Sequence, residues 1–370
     1  MITWHEEVPF DFSDPITDQT FTEDAIFFDI ETTGFSPART SLYLIGCATR
    51  RGDLLCLNQF FAETKAEEET VMRAFFAFLE RYSTILSFHG IGFDIPYLKG
   101  KCAAYHIQDP FSAHVCLDLY KEISRLKFLL KLPNLKQKSL EIFLGIQRED
   151  LYSGGELIAV YEEYLRHPSD KAISLLRVHN YEDVLYMPKL LPILAYRELF
   201  RGEFTVRAID ANEYTSLDGL DGNKELLFTL SHTFPTPQKL STGDDLFYLS
   251  VNTDTTRLRV KLLDGELKFF FANPNDYYYL PEEDIAVHKS IAVGVDKEHR
   301  KKATAASCYT KKHAIFLPQY SECMTPVYRQ NRKDRISYFA LTDSFISSPD
   351  AQHRYISHVL RGLSQRRVNK

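Results

Sequence analysis

Apolar positions along the chain follow one pattern up to about residue 200 and another after it. In the first part, Ala25–Ile30 (AIFFDI) is an apolar run of strand length and reads as a buried strand. Ser41–Thr49 and Asp53–Phe61 read as two more strands, joined by Arg51-Gly52 as a hairpin turn. Ala66–Tyr82 places Val71, Phe75, Phe76, Phe78 and Leu79 at helical spacing. Thr84–Phe88 is a fourth strand with a helix from about Phe93, and His114–Leu119 a fifth. The pattern then turns helical over Lys138–Leu144, Glu156–Leu165 and Asp170 to about Leu199. Three hairpin-connected strands, a strand–helix–strand unit and then helices predict an α/β domain with a mixed five-stranded sheet flanked by helices. Residues 1–22, polar and punctuated by Pro, predict an irregular lead-in.

Past residue 200 the segments become β-rich: Thr205–Ile209, Leu226–Leu230, Leu246–Val251, Arg257–Leu263 and Glu266–Phe271. The last two flank Asp264-Gly265, which reads as a hairpin turn. Pro281–Val295 and Ala351–Leu363 read as helices. The expected organisation is therefore a lead-in over 1–22, an α/β domain over 23–200 and a β-rich α+β domain over 204–370.

Composition narrows the class. With 370 residues, 44% hydrophobic and 25% charged, the chain suits a soluble globular protein of two or three domains. The 16 Gly and 16 Pro exclude a collagenous or low-complexity chain. No apolar run approaches the ~18–20 residues of a membrane span. The opening MITWHEEVPFDFSD lacks a basic-then-apolar export pattern, so a cytoplasmic location without membrane attachment is expected. The six cysteines, none in a CxxC pair, read as free thiols.

Charge is uneven. Residues 1–200 carry a net charge of -9 and 286–370 a net of +10. The basic clusters include Lys297/Arg300/Lys301/Lys302, Lys311/Lys312, Arg329/Arg332/Lys333/Arg335 and Arg366/Arg367. An acidic body with a basic tail region suits a polyanionic partner; a solvated surface with balanced charges is the plainer alternative.

The acids carry the chemistry. Phe27–Gly34 (FFDIETTG) places Asp29 and Glu31 on one face of a buried-type strand. Two carboxylates there repel and resist desolvation, which a divalent cation relieves; an edge strand facing solvent is the alternative. His89–Leu98 (HGIGFDIPYL) sets Asp94 at a helix start, where the helix dipole alone would also favour it. His179–Asp183 (HNYED) stacks His179 and Asp183 on one face of a buried helix. Asp29, Glu31, Asp94 and Asp183 can converge at one end of the sheet. Oxygen ligands favour Mg²⁺ or Mn²⁺, and two such ions are a standard device for phosphodiester hydrolysis.

In this order, DxE, then FD before a helix, then His–acid on a helix, the chain resembles the DEDD exonucleases of the RNase H-like superfamily, and in particular the YprB-like bacterial predicted exonuclease branch. In that branch the second motif resembles NGxxFDxPxL and the third HNxxDVxxL; this chain has HGIGFDIPYL and HNYEDVLYM. Between them HVCLDL (His114–Leu119) and SLEIFLGIQRED (Ser139–Asp150) also fit, and the resemblance covers about residues 23–197. It implies that Asp29 bridges two metals, that Glu31 and Asp183 bind the one carrying the nucleophilic water, and that Asp94 supports the second through water. His179 would orient or deprotonate that water. Two positions depart from the pattern. His179 stands four residues before the acid, where histidine-type proofreading enzymes have five, a difference of about 100° around a helix. His89 stands where Asn is usual. Asp118 reads as a structural acid bonding backbone near the site.

In the second half, Tyr277-Tyr278-Tyr279 and the basic clusters could track a phosphate backbone and stack on bases, and a β-domain core with a charged rim would look the same. Cys308, His313 and Cys323 match no standard zinc spacing. The leading expectation is a metal-dependent nuclease, a 3′→5′ exonuclease on DNA or RNA. The alternatives are a structure-specific endonuclease of the same superfamily and a catalytically silent nucleic-acid-binding or scaffold protein.

Overall fold

The computed structural model describes residues 1–150, 152–214 and 223–365; Arg366 and Arg367 of the last basic cluster lie outside them. The chain divides into two units, Met1–Arg197 with Phe234–Gln238, and Glu198–Thr233 with Lys239–Lys370. The excursion Phe234–Gln238 belongs to the first unit, where the Tyr196 hydroxyl donates to the Gln238 carbonyl at 2.6 Å.

The first unit begins with β1 (Ile2–Pro9), not the irregular lead-in its polar composition suggests. Its residues alternate half-buried and exposed, as an edge strand's do, and it pairs antiparallel with β4 (Leu54–Phe61). A short helix follows, α1 (Pro15–Thr20), capped by the Asp14 carboxylate. The five expected strands are present: β2 (Ala25–Thr32), β3 (Leu42–Arg51), β4, β5 (Thr84–Ser87) and β6 (Val115–Asp118). With β1 they form a six-stranded mixed sheet in the order β1-β4-β3-β2-β5-β6, antiparallel through β2 and parallel beyond it.

Period two in β2 divides its side chains between two layers. Ile26, Phe28 and Ile30 enter a dry core with Val71, Met72, Phe75 and Leu79 of α2 (Glu68–Leu79) and Ile95, Leu98 and Cys102 of α3 (Asp94–Tyr105). The other face of the sheet presents Leu44 and Phe61 to Leu157, Tyr161 and Leu176 of two late helices, α7 (Gly154–Arg166) and α8 (Asp170–Tyr186). Between come α4 (Leu119–Ser124), α5 (Lys127–Leu130) and α6 (Gln137–Phe143). The helical stretch predicted to run to Leu199 breaks at Pro188, which lacks an amide proton, and resumes as α9 (Leu194–Arg201).

Among its described residues the second unit holds three sheets. Strands β7 (Phe204–Tyr214), β8 (Asn223–His232), β9 (Leu240–Gly243), β10 (Phe247–Val251) and β11 (Thr255–Lys261) form one in the order β7-β8-β11-β10-β9. The next strand, β12 (Leu263–Phe270), leaves that sheet and pairs along its length with β16 (Tyr309–Gln319), which also pairs β17 (Ser337–Ala340). Asp264 and Gly265 therefore lie inside a strand, opposite Ile315 and Ala314, and the expected hairpin is absent. Pro281–Val295 is likewise not a helix. Asp284 takes a left-handed φ of 52°, and Ile285–His288 (β14) pairs with Tyr277–Leu280 (β13), beside Lys301–Lys302 (β15). A short α10 (Asp343–Ile346) precedes α11 (Pro349–Gln365), which covers the predicted helix and buries Tyr355, Ile356, Val359 and Leu360 at helical spacing. Among the described residues no helix is long and apolar enough to cross a membrane, and Cys308, His313 and Cys323 form no metal-binding group.

Candidate active site

The polar face of β2 is roofed by α8. Its inward stripe runs Leu176, His179, Asn180 and Asp183, so three of four positions that helical spacing directs at the sheet are polar. Beneath it Asp29, Gly46 and Gln59 stand side by side in register across β2, β3 and β4. Asn180 spans this row: its amide nitrogen donates to Asp29 Oδ2 at 3.1 Å, and its carbonyl oxygen accepts from Gln59 Nε2 at 3.0 Å. A Cβ at position 46 would stand 2.0 Å from the Asn180 carbonyl oxygen, so only glycine lets the helix approach.

Two other elements close the site. Asp94 opens α3 and is buried, with Oδ1 accepting the Ile30 N–H at 3.1 Å between the two β2 acids. Asp118 at the end of β6 accepts the N–H groups of His89 and Ile91 at 3.0 and 3.1 Å, holding the turn that leads to Asp94. That is a structural role. His89 serves the turn with a left-handed φ of 67° and packs on Tyr120.

His179 lies at the centre. Its Nδ1 is 2.7 Å from Asp150 Oδ2, so the carboxylate fixes the proton on that nitrogen. Its Nε2 faces Glu31 Oε1 at 3.6 Å and Asp183 Oδ2 at 3.5 Å. One ligand atom from each of Glu31, His179 and Asp183 lies within 4.8 Å of the others. Asp29 and Asp94 stand outside that set, tied to its edge by Asn180 and by the Ile30 N–H. The five residues predicted from sequence are thus brought to one end of the sheet, three of them within common ligand reach.

Several participants gave no clear sequence signal. Asp150 and Arg148 come from the connection after α6. Glu182 clamps that connection, accepting the N–H groups of Glu149 and Asp150 at 2.9 Å each. Lys138 Nζ bonds Asp150 Oδ2 at 2.9 Å. Arg148 meets Asp183 Oδ1 at 2.5 Å and forks onto both oxygens of Glu141. The GIQRED run and the Asn of HNYED were the available hints, without a partner to give them meaning.

Burial dominates the electrostatics. It pushes Asp29 well above the usual carboxylate range, helped by Asp94, Asp183 and Glu31. It pushes Glu31 up to about 8, against the pull of His179, and Asp94 up to about 7 despite the Ile30 hydrogen bond. For His179, burial works downward but Glu31, Asp183 and Asp150 outweigh it and hold the imidazole above its ordinary value. Burial would likewise raise Asp150, yet its bonds to Lys138 and His179 hold it low. Burial raises the Tyr43 hydroxyl well above its ordinary value, and Glu31 and Asp29 add to the shift. Crowded carboxylate oxygens with one imidazole among them fit a hard divalent cation.

A family model described as RNase_H superfamily matches residues 26–195. A comparison with curated proteins finds no match. Among solved structures, the chain is similar to the family B DNA polymerase from the hyperthermophilic archaeon Pyrobaculum calidifontis, at 20% identity over 46% of this chain and 25% of that one, with a TM-score of 0.37. It is also similar to E. coli exonuclease I in a zinc-bound complex with ssDNA, at 14% identity over 56% of this chain and 54% of that one, TM-score 0.27. The complex of the same enzyme with a dT13 oligonucleotide matches at 13% identity over 56% and 55%, TM-score 0.28. The chain thus spans a quarter of the polymerase and about half of exonuclease I.

Proposed function

We propose that the first unit is a divalent-metal-dependent nuclease of the DEDD type, in the YprB-like branch, which hydrolyses phosphodiester bonds as a 3′→5′ exonuclease on DNA or RNA by a two-metal mechanism. The observation that carries this reading is the convergence of Glu31, His179 and Asp183 at a buried point flanked by Asp29 and Asp94. Bound Mg²⁺ or Mn²⁺ would lower the pKa of water and neutralise charge on the phosphate. Glu31, Asp183 and Asp29 would hold the ions, with Asp94 supporting from the α3 side. His179, fixed by Asp150, presents Nε2 toward the same point and takes the proton of the attacking water.

The loop after β2 gives a second support. Phe35 is 89% exposed and lies edge-on to Phe93, next to Asp94. The loop itself is held: the Thr40 hydroxyl bonds the Gly34 and Ser36 carbonyls, and Lys101 Nζ the Thr40 carbonyl. An exposed ring on a pinned loop beside the acids suits a nucleobase. Phe35→Ala should raise KM several-fold, since stacking on one base contributes about 1–3 kcal/mol. An unchanged KM would remove the loop from the substrate path.

In the second unit, Lys289 and Arg300 lie 5.6 and 4.8 Å from the Tyr278 ring, with Lys301 and Lys302 on the neighbouring strand. That chemistry supports an accessory nucleic-acid-binding role for residues 204–370.

The Arg148–Asp183 ion pair is the one observation that favours the silent-binder reading. Asp183 Oδ2 nevertheless remains turned to His179. The deciding experiment is a set of end-labelled single- and double-stranded DNA and RNA oligonucleotides with Mg²⁺ or Mn²⁺, and with EDTA. Stepwise release from the 3′ end that EDTA stops is expected. No cleavage of any substrate with either metal would leave the silent binder.

A further inference from the structure

Among the described residues, Arg148 is the arginine that pairs directly with a proposed metal ligand, Asp183. Its side chain is 6% exposed, and its guanidinium is shared between two acids. Nε and Nη2 take both oxygens of Glu141, itself 1% exposed, and Nη1 takes Asp183 Oδ1. Gln137 Nε2 adds bonds to Glu141 Oε1 at 2.9 Å and to the Asp183 carbonyl at 3.0 Å. A fork gripped on two nitrogens by a buried carboxylate has little freedom to swing away. Asp183 is therefore divided: Oδ1 belongs to the guanidinium, and Oδ2 faces His179 at 3.5 Å.

Resting on the metal-dependent reading above, we propose that Arg148 is a built-in counter-ion of the metal centre, which steadies Asp183 in the metal-free protein and competes electrostatically with the metal ion for it. The logic is charge balance. Without an ion, Asp29, Glu31, Asp94 and Asp183 share one poorly hydrated space, and an internal cation lets them assemble before metal arrives. Because Glu141 retains the guanidinium, the cation stays beside Asp183 after metal binds. It then lowers the negative potential at Oδ2 and restrains affinity. Glu141 has the opposite influence, since it neutralises the guanidinium from behind. Arg148 is thus a positioning residue, acting on the metal through Asp183.

The two acids on either side of the guanidinium give the test its sign. Mn²⁺ dissociation constants are measured on the full chain at fixed pH for wild type, Arg148→Gln and Glu141→Gln, together with melting temperatures without metal. Arg148→Gln should bind Mn²⁺ more tightly, by about tenfold or more for removal of a unit charge at this range, while melting lower without metal. Glu141→Gln should bind more weakly. A merely structural residue would weaken binding in both variants, and that result, or unchanged binding in Arg148→Gln, overturns the proposal. If Arg148→Gln does not fold without metal, Arg148→Met, which removes the charge and fills much of the space, is measured in its place. It should also bind more tightly than wild type, and equal or weaker binding overturns the proposal. Wild type failing to bind Mn²⁺ would instead overturn the metal-dependent reading, and this inference with it.

Discussion

Two acidic environments in this chain show what a carboxylate does when its neighbours satisfy it and when they do not. In the second unit, Asp284 accepts from the hydroxyls of Tyr279 and Tyr309 and pairs with Lys311 Nζ at 2.7 Å. Its bond to Lys311 and then those to the two tyrosines hold it far below the usual carboxylate range. In the first unit, Glu31 and Asp94 are buried with Asp29 half-buried beside them, and each is pushed the other way. Asp284 is a finished structural site, with a donor for its charge. The β2 cluster has more negative oxygen than its donors can satisfy, and that surplus is what a divalent cation would neutralise.

The contrast breaks most sharply at Asp29. Asp29→Ala should fold, since it relieves repulsion without opening the dry face of β2. It should lose activity on the order of 10³-fold or more, because a bound metal contributes several kcal/mol to the transition state. A fully active Asp29→Ala would show that the surplus charge has no catalytic use. His179→Ala tests the next layer. Removing the side chain that Asp150 aims into the cluster should slow turnover by about 10²-fold, at the low end for proton transfer, with Mn²⁺ still bound. Turnover within a few-fold of wild type would limit His179 to holding Glu31 and Asp183 in place.

The surplus also has a pH signature, opposite in sign at the two sites. Glu31 rises from an ordinary 4.5 to about 8 in the folded protein. The metal-free native state therefore binds more protons than the unfolded chain between those values, and its stability falls as pH rises through that window. Metal binding expels the protons, so Mn²⁺ affinity should climb as pH rises through about 7 and 8, the values for Asp94 and Glu31. Calorimetry on the metal-free protein and Mn²⁺ titrations across that range check both signs. Metal-free stability that rises with pH would contradict the buried surplus.

How much of this was legible in the sequence followed the range of the interactions involved. β2 could be read because AIFFDIE carries its layer assignment in its own period, and HNYED because four residues on a helix are one turn. β1 could not. ITWHEEVP looks like a polar lead-in until Trp4 is set against Phe61, with Arg177 over its ring at 5.3 Å and Glu6 bonded to Tyr181. Those partners lie far along the chain. Asp264-Gly265 misled for a related reason. A hairpin turn needs its flanking strands to pair with each other, but β11 pairs with β8 and β10 while β12 pairs with β16. Arg148 and Asp150 were in view within GIQRED, yet their meaning comes from Asp183 and His179, some thirty residues on. Each acidic motif is local in sequence; the side chains that pair with it are not.

The smallest expected effect belongs to the satisfied acid. Asp284→Asn keeps the shape, loses the charge and leaves the two tyrosines and Lys311 near enough to solvent to find water. Its depressed folded pKa means that the carboxylate contributes stability above its unfolded value and loses it as pH falls through the folded one. The contribution is largely screened, because the side chain is 38% exposed. The substitution should therefore shift the neutral-pH melting temperature by no more than about 2 °C and leave both cleavage and the Mn²⁺ dissociation constant unchanged. If Asp284→Asn altered metal affinity as strongly as a β2 substitution, local satisfaction would not be what separates the two sites, and the surplus-charge account of the β2 cluster would fail with it.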